Sequence, residues 1–355
     1  MISPSFIDKH LMQKTWLSNL MTPLGKLYEI YQTQRRRKLS SQAWHPDCFV
    51  ISIGNIMSGG SGKTPFCLYL AELLKNSGIK IGVSHRGYKG TLEDTPTVIS
   101  DGKQIFYKAM TCGDEAYLLA SRLPEIPVVV GKQRCAAVSL LLAAFPDTEI
   151  VILDDAFQHL SIARDLDFIC FDAKWGIGNG RVIPAGYLRE PVKNIPLSSI
   201  IIINHKEGEE EVPLEKKWWS SFPQTSFHCW IRGKGYVDTR DNLYTAKDIK
   251  GKRCILVSGI AHPESFEYNI DKDGISWLHH FRYPDHYAYS DIKEINKLSS
   301  LCSKYQIDYI LCTEKDLVKL QIYAPLKNKL RALRLQTECQ DEETLLGLIE
   351  ERMGN

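Results

Sequence analysis

An α/β protein built around a parallel sheet is the reading that three features of this 355-residue chain support. From residue 48 onward, short apolar runs alternate with helix-like stretches. The runs lack the polar alternation of a half-solvated sheet, so strands made from them are covered on both faces by helices. That texture breaks over 206–250 and then resumes, which divides the chain into a larger α/β domain over 41–205 and a smaller one over 251–355. Residues 1–40 stand apart as an amphipathic helical segment.

Composition narrows the function classes. Hydrophobic residues make up 44% of the chain and charged residues 24%, a globular balance. The 44 basic and 42 acidic residues leave a net charge of +2, which excludes a protein dominated by nucleic-acid electrostatics. The ten cysteines include no C-x-x-C pair, so no zinc-site spacing exists, and they read as reduced thiols of a cytosolic compartment. No uninterrupted apolar run is long enough to cross a membrane as a helix.

In chain order, Trp16, Leu17, Leu20, Met21, Leu24, Leu27, Tyr28 and Tyr31 recur at three- and four-residue steps, a helical period. Thr22-Pro23 has the form of a helix start, so two pieces are expected, over 5–21 and 23–34, closed by Arg35, Arg36, Arg37 and Lys38. Lys9, Lys14 and Lys26 interrupt the apolar stretch, unlike a secretory signal. Such a helix either lies in a membrane interface or packs on its own domain, and from pattern alone the second is the commoner use. Strands are expected at 48–53, 79–84, 127–130, 149–153, 167–171 and 199–204, with a helix over 65–75 stopped by Gly78. The stretch 206–250, with Trp218, Trp219, Trp230, Tyr236, Gly233 and Gly235, reads as a linker or antiparallel ribbon. Strands at 254–258 and 308–312 open the smaller domain.

The strongest motif is Ser58-Gly59-Gly60-Ser61-Gly62-Lys63-Thr64-Pro65, set between the first strand and the first helix of the sheet. In a Walker A loop, glycines let backbone N–H groups turn around the phosphates and the helix N-terminus adds its dipole. The lysine then reaches the β- and γ-phosphates, and the hydroxyl ligates Mg²⁺. Lys63 and Thr64 take the last two places, which makes the larger domain P-loop NTPase-like. Met57 stands where the pattern has its first glycine, and Gly59-Gly60 supplies the flexibility instead.

A second metal handle belongs at a neighbouring strand end. Two apolar runs end in aspartate, at Asp154-Asp155 and at Asp172. Spacing does not separate them, but paired carboxylates are costly without a cation or proton between them, which favours Asp154-Asp155. Asp172 then reads as a helix cap or loop acceptor. Asp114, in Gly113-Asp114-Glu115 at the head of a helix, and His286, in Pro284-Asp285-His286, are candidate acid–base groups, although either residue type is commonly structural in such a place. Arg86 follows a strand end, while Arg181 and Arg189 bracket a loop containing Pro184, Gly186 and Pro191; all three are plausible anion contacts.

Together these motifs resemble the tetraacyldisaccharide 4'-kinase family, the lipid A kinases. The resemblance rests on Gly54-Asn55-Ile56 with the phosphate loop, Arg86-Gly87-Tyr88, Gly113-Asp114-Glu115 and Asp154-Asp155-Ala156-Phe157-Gln158-His159. It continues through Gly178-Asn179-Gly180-Arg181, Pro184-Ala185-Gly186, Leu188-Arg189-Glu190-Pro191 and Ser258-Gly259-Ile260-Ala261-His262-Pro263. Pro284-Asp285-His286 and Thr313-Glu314-Lys315-Asp316 close the ordered set. The likeness implies transfer of the ATP γ-phosphate to the 4'-hydroxyl of an acylated glucosamine disaccharide 1-phosphate. It also implies two α/β domains joined by a two-stranded linker. The N-terminal segment becomes a membrane-associating helix, which places the chain peripherally on the cytoplasmic face of the bacterial inner membrane. By the same likeness Asp114 is the base, helped by His286, with Asp155 also in the catalytic set. Thr64, Asp154, Asp155 and Gln158 would surround Mg²⁺, and Arg86, Asn179, Arg181 and Arg189 would contact the substrate. No nucleic acid and no obligate protein partner is implied.

The chain departs from the family pattern at His286-Tyr287, where two histidines are common, at Ala156-Phe157, where Gly-Leu is common, and at Tyr187, where proline follows Ala-Gly. A partitioning- or carrier-type P-loop ATPase switch is the rival reading, but Ser58 removes the lysine of its deviant loop. A GTP switch needs Asn/Thr-Lys-x-Asp, which Thr313-Glu314-Lys315-Asp316 does not meet.

Overall fold

The computed structural model describes residues 10, 12–57, 59–207 and 218–354, so Ser58 and most of the segment before Thr15 lie outside the described residues. The expected strands all form: β1 (Phe49–Gly54), β2 (Ile81–His85), β4 (Val128–Val130), β5 (Ile150–Leu153), β6 (Leu166–Asp172) and β7 (Ile200–Lys206). Later in the chain come β10 (Cys254–Ser258) and β12 (Tyr309–Thr313). Four strands have no fully apolar signature: β3 (Thr97–Ser100), β8 (Ser226–Val237), β11 (Trp277–Arg282) and β13 (Leu330–Cys339), and β9 (Leu243–Tyr244) is a two-residue appendage of β8.

All strands join one sheet, ordered β11-β10-β12-β13-β8-β7-β6-β1-β5-β2-β4-β3. The strands β7-β6-β1-β5-β2-β4 run parallel. Their residues alternate between two apolar layers: Ile51, Ile53, Ile150 and Ile152 face one core, while Val50, Val151 and Leu153 face another. Helices α2 (Lys63–Asn76) and α3 (Asp114–Arg122) fill the first layer, and α4 (Arg134–Ala144) the second. Each strand is thus buried on both sides, as its unbroken apolar run requires.

Strand β8 connects the halves. It pairs parallel with β7 through Ser226–Ile231 and antiparallel with β13 through Cys229–Val237. A bulge interrupts the second pairing beside Gly235, whose φ of +134° suits glycine alone. Beyond it, α5 (Pro263–Lys272) covers one face of β10, β11, β12 and β13, and α6 (Ile292–Lys304) with α7 (Glu314–Leu320) covers the other. The last helix, α8 (Glu342–Gly354), returns to the first half and inserts Leu345 and Ile349 into the core under α2.

One local expectation is corrected. Helix α1 runs unbroken over Trp16–Ser40, through Pro23, where the sequence suggests a break after residue 21. Proline removes one N–H bond, but the turn is held by other means. The Thr22 hydroxyl donates to the Ser18 carbonyl at 2.9 Å, and Ser18 Oγ donates to the Ala185 carbonyl at 2.6 Å. Thr15, not Thr22, caps the helix, accepting from the Ser18 N–H at 3.2 Å. The face of α1 turned to the protein carries Ser18 and Gly25, whereas Trp16, Leu20, Leu24, Leu27, Ile30 and Tyr31 are exposed. No helix among the described residues is long and apolar enough to cross a membrane.

Candidate active site

The site collects at the carboxyl ends of β1, β5 and β2, which are neighbours in the sheet and where open α/β sheets place their ligands. Gly54 ends β1 so close to the next loop that a Cβ there would meet Phe157 Cβ at 2.4 Å. The phosphate loop follows. Asn55 Nδ2 donates to Ser61 Oγ at 2.9 Å, and Asn204 Nδ2, from β7, donates to the Ser61 carbonyl at 2.7 Å. Gly62 caps α2 with a φ of +79°, and its missing side chain leaves room for the Asn204 amide. Met57 is fully buried and bridges to Leu188, so the loop is pinned by packing where the common pattern relies on glycine.

Asp154 and Asp155 end β5 opposite this loop. Lys63 Nζ lies 3.3 Å from Asp155 Oδ1. Burial alone would raise the pKa of Asp155, but Lys63 and Arg189 hold it below the ordinary carboxylate value. Asp154 is more deeply buried, and burial pushes its pKa up. Its Oδ1 accepts the Asp155 N–H at 2.9 Å, while Oδ2 has no hydrogen-bond partner. Asp155 Oδ1 makes no hydrogen bond either. Asp154 Oδ2, buried and without a donor, and Asp155 Oδ1, which faces only the Lys63 ammonium, suit a hard divalent cation completed by phosphate and water oxygens. Gln158 Nε2 is committed to the Asn55 carbonyl at 2.7 Å and so fastens this turn to the phosphate loop. Asp172 proves to be a loop acceptor: Oδ1 takes the Lys174 and Trp175 N–H groups, each at 3.0 Å, and Oδ2 takes Lys206.

Asp114 and His286, 172 residues apart in sequence, meet. His286 Nδ1 lies 3.1 Å from Asp114 Oδ2, while Asp114 Oδ1 accepts the Glu115 N–H at 2.9 Å. Burial would raise the Asp114 pKa, but the His286 hydrogen bond and the Lys319 charge bring it below the usual value. The same hydrogen bond raises His286 against a lesser opposing effect of burial. Next to Asp114, Glu115 pairs with Lys315 and lies 3.4 Å from His85 Nε2. His85 Nδ1 accepts the Gly87 N–H at 2.9 Å, which assigns the ring proton to Nε2 and aims it at Glu115. Glu115 thereby ties Asp114 to the end of β2.

The chain matches the family described as tetraacyldisaccharide-1-P 4'-kinase over residues 17–354. The chain belongs to that family. A tetraacyldisaccharide 4'-kinase of Desulfotalea psychrophila is 35% identical over 328 residues, covering 88% of this chain and 91% of its own. Another, of Desulfatibacillum aliphaticivorans, is 34% identical over 300 residues, covering 83% and 81%. A crystal structure of LpxK from Aquifex aeolicus in complex with ATP is similar with a TM-score of 0.76 at 28% identity, covering 95% of this chain and 99% of that one. As a tetraacyldisaccharide 4'-kinase, the chain acts in lipid A biosynthesis by phosphorylating the 4'-position of tetraacyldisaccharide 1-phosphate.

Within that family pattern, this chain's departures have local explanations. Tyr287, in place of a second histidine, stacks on Tyr283 at 4.6 Å and donates to Glu294 at 2.5 Å. Phe157 receives the Arg36 guanidinium over its ring at 4.0 Å. The Tyr187 hydroxyl occupies the space that a Cβ on Gly59 would need. The expected substrate contacts divide into two groups. Arg189 stays beside the phosphate loop, its N–H donating to the Ile56 carbonyl at 2.7 Å, and Arg86 pairs with Glu93 at 2.7 Å. Asn179 and Arg181 lie elsewhere and stitch α1 to the 179–186 loop: Asn179 Nδ2 donates to the Ala185 carbonyl at 2.9 Å and Arg181 Nη1 to Ser18 Oγ at 3.0 Å. Glu115, His85, Lys319 and Asn204 were not singled out by sequence reasoning. Of these, only Glu115 stood inside a recognised motif.

Proposed function

We propose that the chain carries out its transfer with ATP bound along the 59–65 loop, Lys63 on the terminal phosphates and Asp114 as the base for the acceptor 4'-hydroxyl. The observation that carries this reading is the Asp114–His286 pair at 3.1 Å, tied through Glu115 and His85 to the end of β2. An ionised carboxylate of low pKa is a weak base, but a loose phosphoryl-transfer transition state asks mainly for positioning and charge neutralisation. Asp114 takes the hydroxyl proton on Oδ2, and His286 orients the carboxylate through Nδ1. Thr64, Asp154 and Asp155 would hold Mg²⁺, which would supply charge neutralisation for the phosphoryl transfer. Gln158, through its bond to the Asn55 carbonyl, steadies the turn that follows the two aspartates. Arg86 and Arg189 contact anionic groups of the substrates, and Asn179 and Arg181 keep the neighbouring loop against α1.

Helix α1 supports placing this chemistry at the cytoplasmic face of the inner membrane. A helix that packed on its own domain would turn its apolar stripe inward. This one turns Ser18 and Gly25 inward and leaves Trp16, Leu20 and Leu27 at 71%, 63% and 65% exposure. Arg35, Arg37 and Lys38 follow at its basic end, fitting an apolar face in lipid beside anionic headgroups. Incubation with radiolabelled ATP and the acylated disaccharide in detergent micelles tests the whole reading. A labelled lipid product is expected. ATP hydrolysis of equal rate without acceptor would instead indicate a nucleotide switch.

A further inference from the structure

Asp114 has a second partner. Lys319 Nζ lies 3.6 Å from Asp114 Oδ2, on the oxygen that also faces His286. The Lys319 residue is only 7% exposed, and its Nζ makes no hydrogen bond, although it carries three donors. A buried ammonium without hydrogen bonds is costly and persists only where fixed negative charge surrounds it. That charge is built deliberately. Asp316 Oδ1 lies 3.3 Å from Lys319 Nζ on the same helix, and Asp316 is itself fully buried. Its carboxylate is locked by the Gly259 N–H at 3.1 Å, the Tyr289 hydroxyl at 3.0 Å and the Thr313 hydroxyl at 2.7 Å. The Gly259 carbonyl in turn accepts the His286 N–H at 3.1 Å, so one glycine holds both His286 and the counter-ion of Lys319. The Tyr289 ring closes over the ammonium at 5.3 Å.

We infer that Lys319 is a positioning residue of the 4'-phosphorylation: its ammonium, itself held by the buried counter-ion Asp316, holds Asp114 Oδ2 as an oriented anion. The inference rests on Asp114 being the base. The other charges near Asp114 are already matched. Glu115 is taken by Lys315 and His85, Arg86 by Glu93, and Asp285 lies 3.9 Å from His286 Nε2. Burial pushes the Cys112 thiol up to about 12, which keeps it neutral. Lys319 is therefore the cation whose charge falls on Asp114 without an intervening acid, except for the fixed Asp316.

The test compares Lys319→Met with Lys319→Arg in the full-length chain. In Lys319→Met the acid limb of the kcat–pH profile rises by about one pH unit, because an opposite charge at this range lowers a carboxyl pKa by roughly that much or more. KM for ATP stays within about twofold, and Lys319→Arg keeps the wild-type limb. The His286 ring, followed by NMR, titrates higher in Lys319→Met, since a cation competing for Oδ2 is gone. Uniform loss of kcat at every pH, with the limb and the His286 titration unmoved, overturns the inference. If Lys319→Met does not fold, Lys319→Gln, polar but uncharged, makes the same comparison. Near-normal turnover by Asp114→Ala would remove the base assignment, while the His286 titration would still report whether Lys319 acts on Asp114.

Discussion

At the scale of single residues, the site separates two carboxylates by environment. Asp154 is buried with an oxygen lacking donors and is raised, whereas Asp114 is buried among cations and is lowered. Asp114→Ala removes the proton acceptor but touches nothing that holds the nucleotide. Its kcat should fall at least about a hundredfold, with ATP affinity within a few-fold, as measured by steady-state kinetics and ATP titration. The Asp114–His286 pair also makes stability depend on pH. His286 is raised above its ordinary value of 6.5, so its contribution is fully present below that pH and fades as pH rises through the folded pKa. Asp114 is lowered from 3.8, so its contribution stands above that pH and is lost only in stronger acid. The Tm difference between the wild type and His286→Ala should therefore be widest near pH 5 to 6 and shrink toward alkaline pH. A gap independent of pH over that range would mean that the pair carries no net charge coupling.

At the scale of elements, α1 is the one that leaves an apolar stripe uncovered. Its exposed apolar residues sit at positions 16, 20, 24, 27 and 31, one stripe of a helix. On the proposed membrane contact, replacing Leu20, Leu24 and Leu27 together by Ser removes about 1 kcal/mol or more of apolar transfer energy each, less than full burial. Binding to anionic vesicles should weaken about a hundredfold in co-sedimentation, with unchanged circular dichroism, because none of the three supports the fold. Unchanged sedimentation would show that the stripe does not meet lipid. The same helix shows what the sequence could and could not reveal. Its period was legible, but the break at Thr22-Pro23 was not real, because the bond from Ser18 to Ala185 that steadies the helix is a contact across 167 residues. The strands of the larger half were legible because burial on both faces leaves unbroken apolar runs. Strands β11 and β13 carry Arg282, Arg331 and Arg334 among their residues, and only pairing with distant partners makes them strands. The phosphate loop was readable for the opposite reason: its chemistry is local, and seven of its eight residues are described. Asp114 and His286 could be paired only through the family resemblance, since 172 residues separate them, and Lys319 lay three residues past a recognised motif with nothing local to mark it.

At the scale of the whole molecule, the two halves are joined by more than strand β8. Helices α3 and α7 face each other through three ion pairs, Asp114 with Lys319, Glu115 with Lys315, and Arg122 with Glu314. Asp114 stands at one end of this ladder and Arg122 at the other. Glu314 is the outer rung: both its oxygens accept from Arg122 Nη1, at 2.9 and 2.8 Å, and Arg334 Nε donates to it at 3.1 Å. Both sides of the Arg122–Glu314 pair are about nine-tenths buried, so solvent screens it little. Glu314→Ala leaves the buried Arg122 guanidinium without its acid, while Arg334 keeps Asp241. Breaking a buried pair from one side costs about 3–5 kcal/mol, and the residual exposure here brings the expectation to roughly 2–4 kcal/mol in urea unfolding. The consequence for catalysis differs from that of losing the base. Because α7 carries Lys319, and Asp316 of α7 binds the Gly259 whose carbonyl accepts the His286 N–H, loosening α7 from α3 disperses the groups around Asp114 without removing any of them. The Glu314→Ala protein should therefore keep ATP affinity, lose kcat in proportion to the loosening, and recover part of it at lower temperature. A kcat equal to wild type, despite the lost stability, would show that the two halves are held in register by β8 and β13 alone.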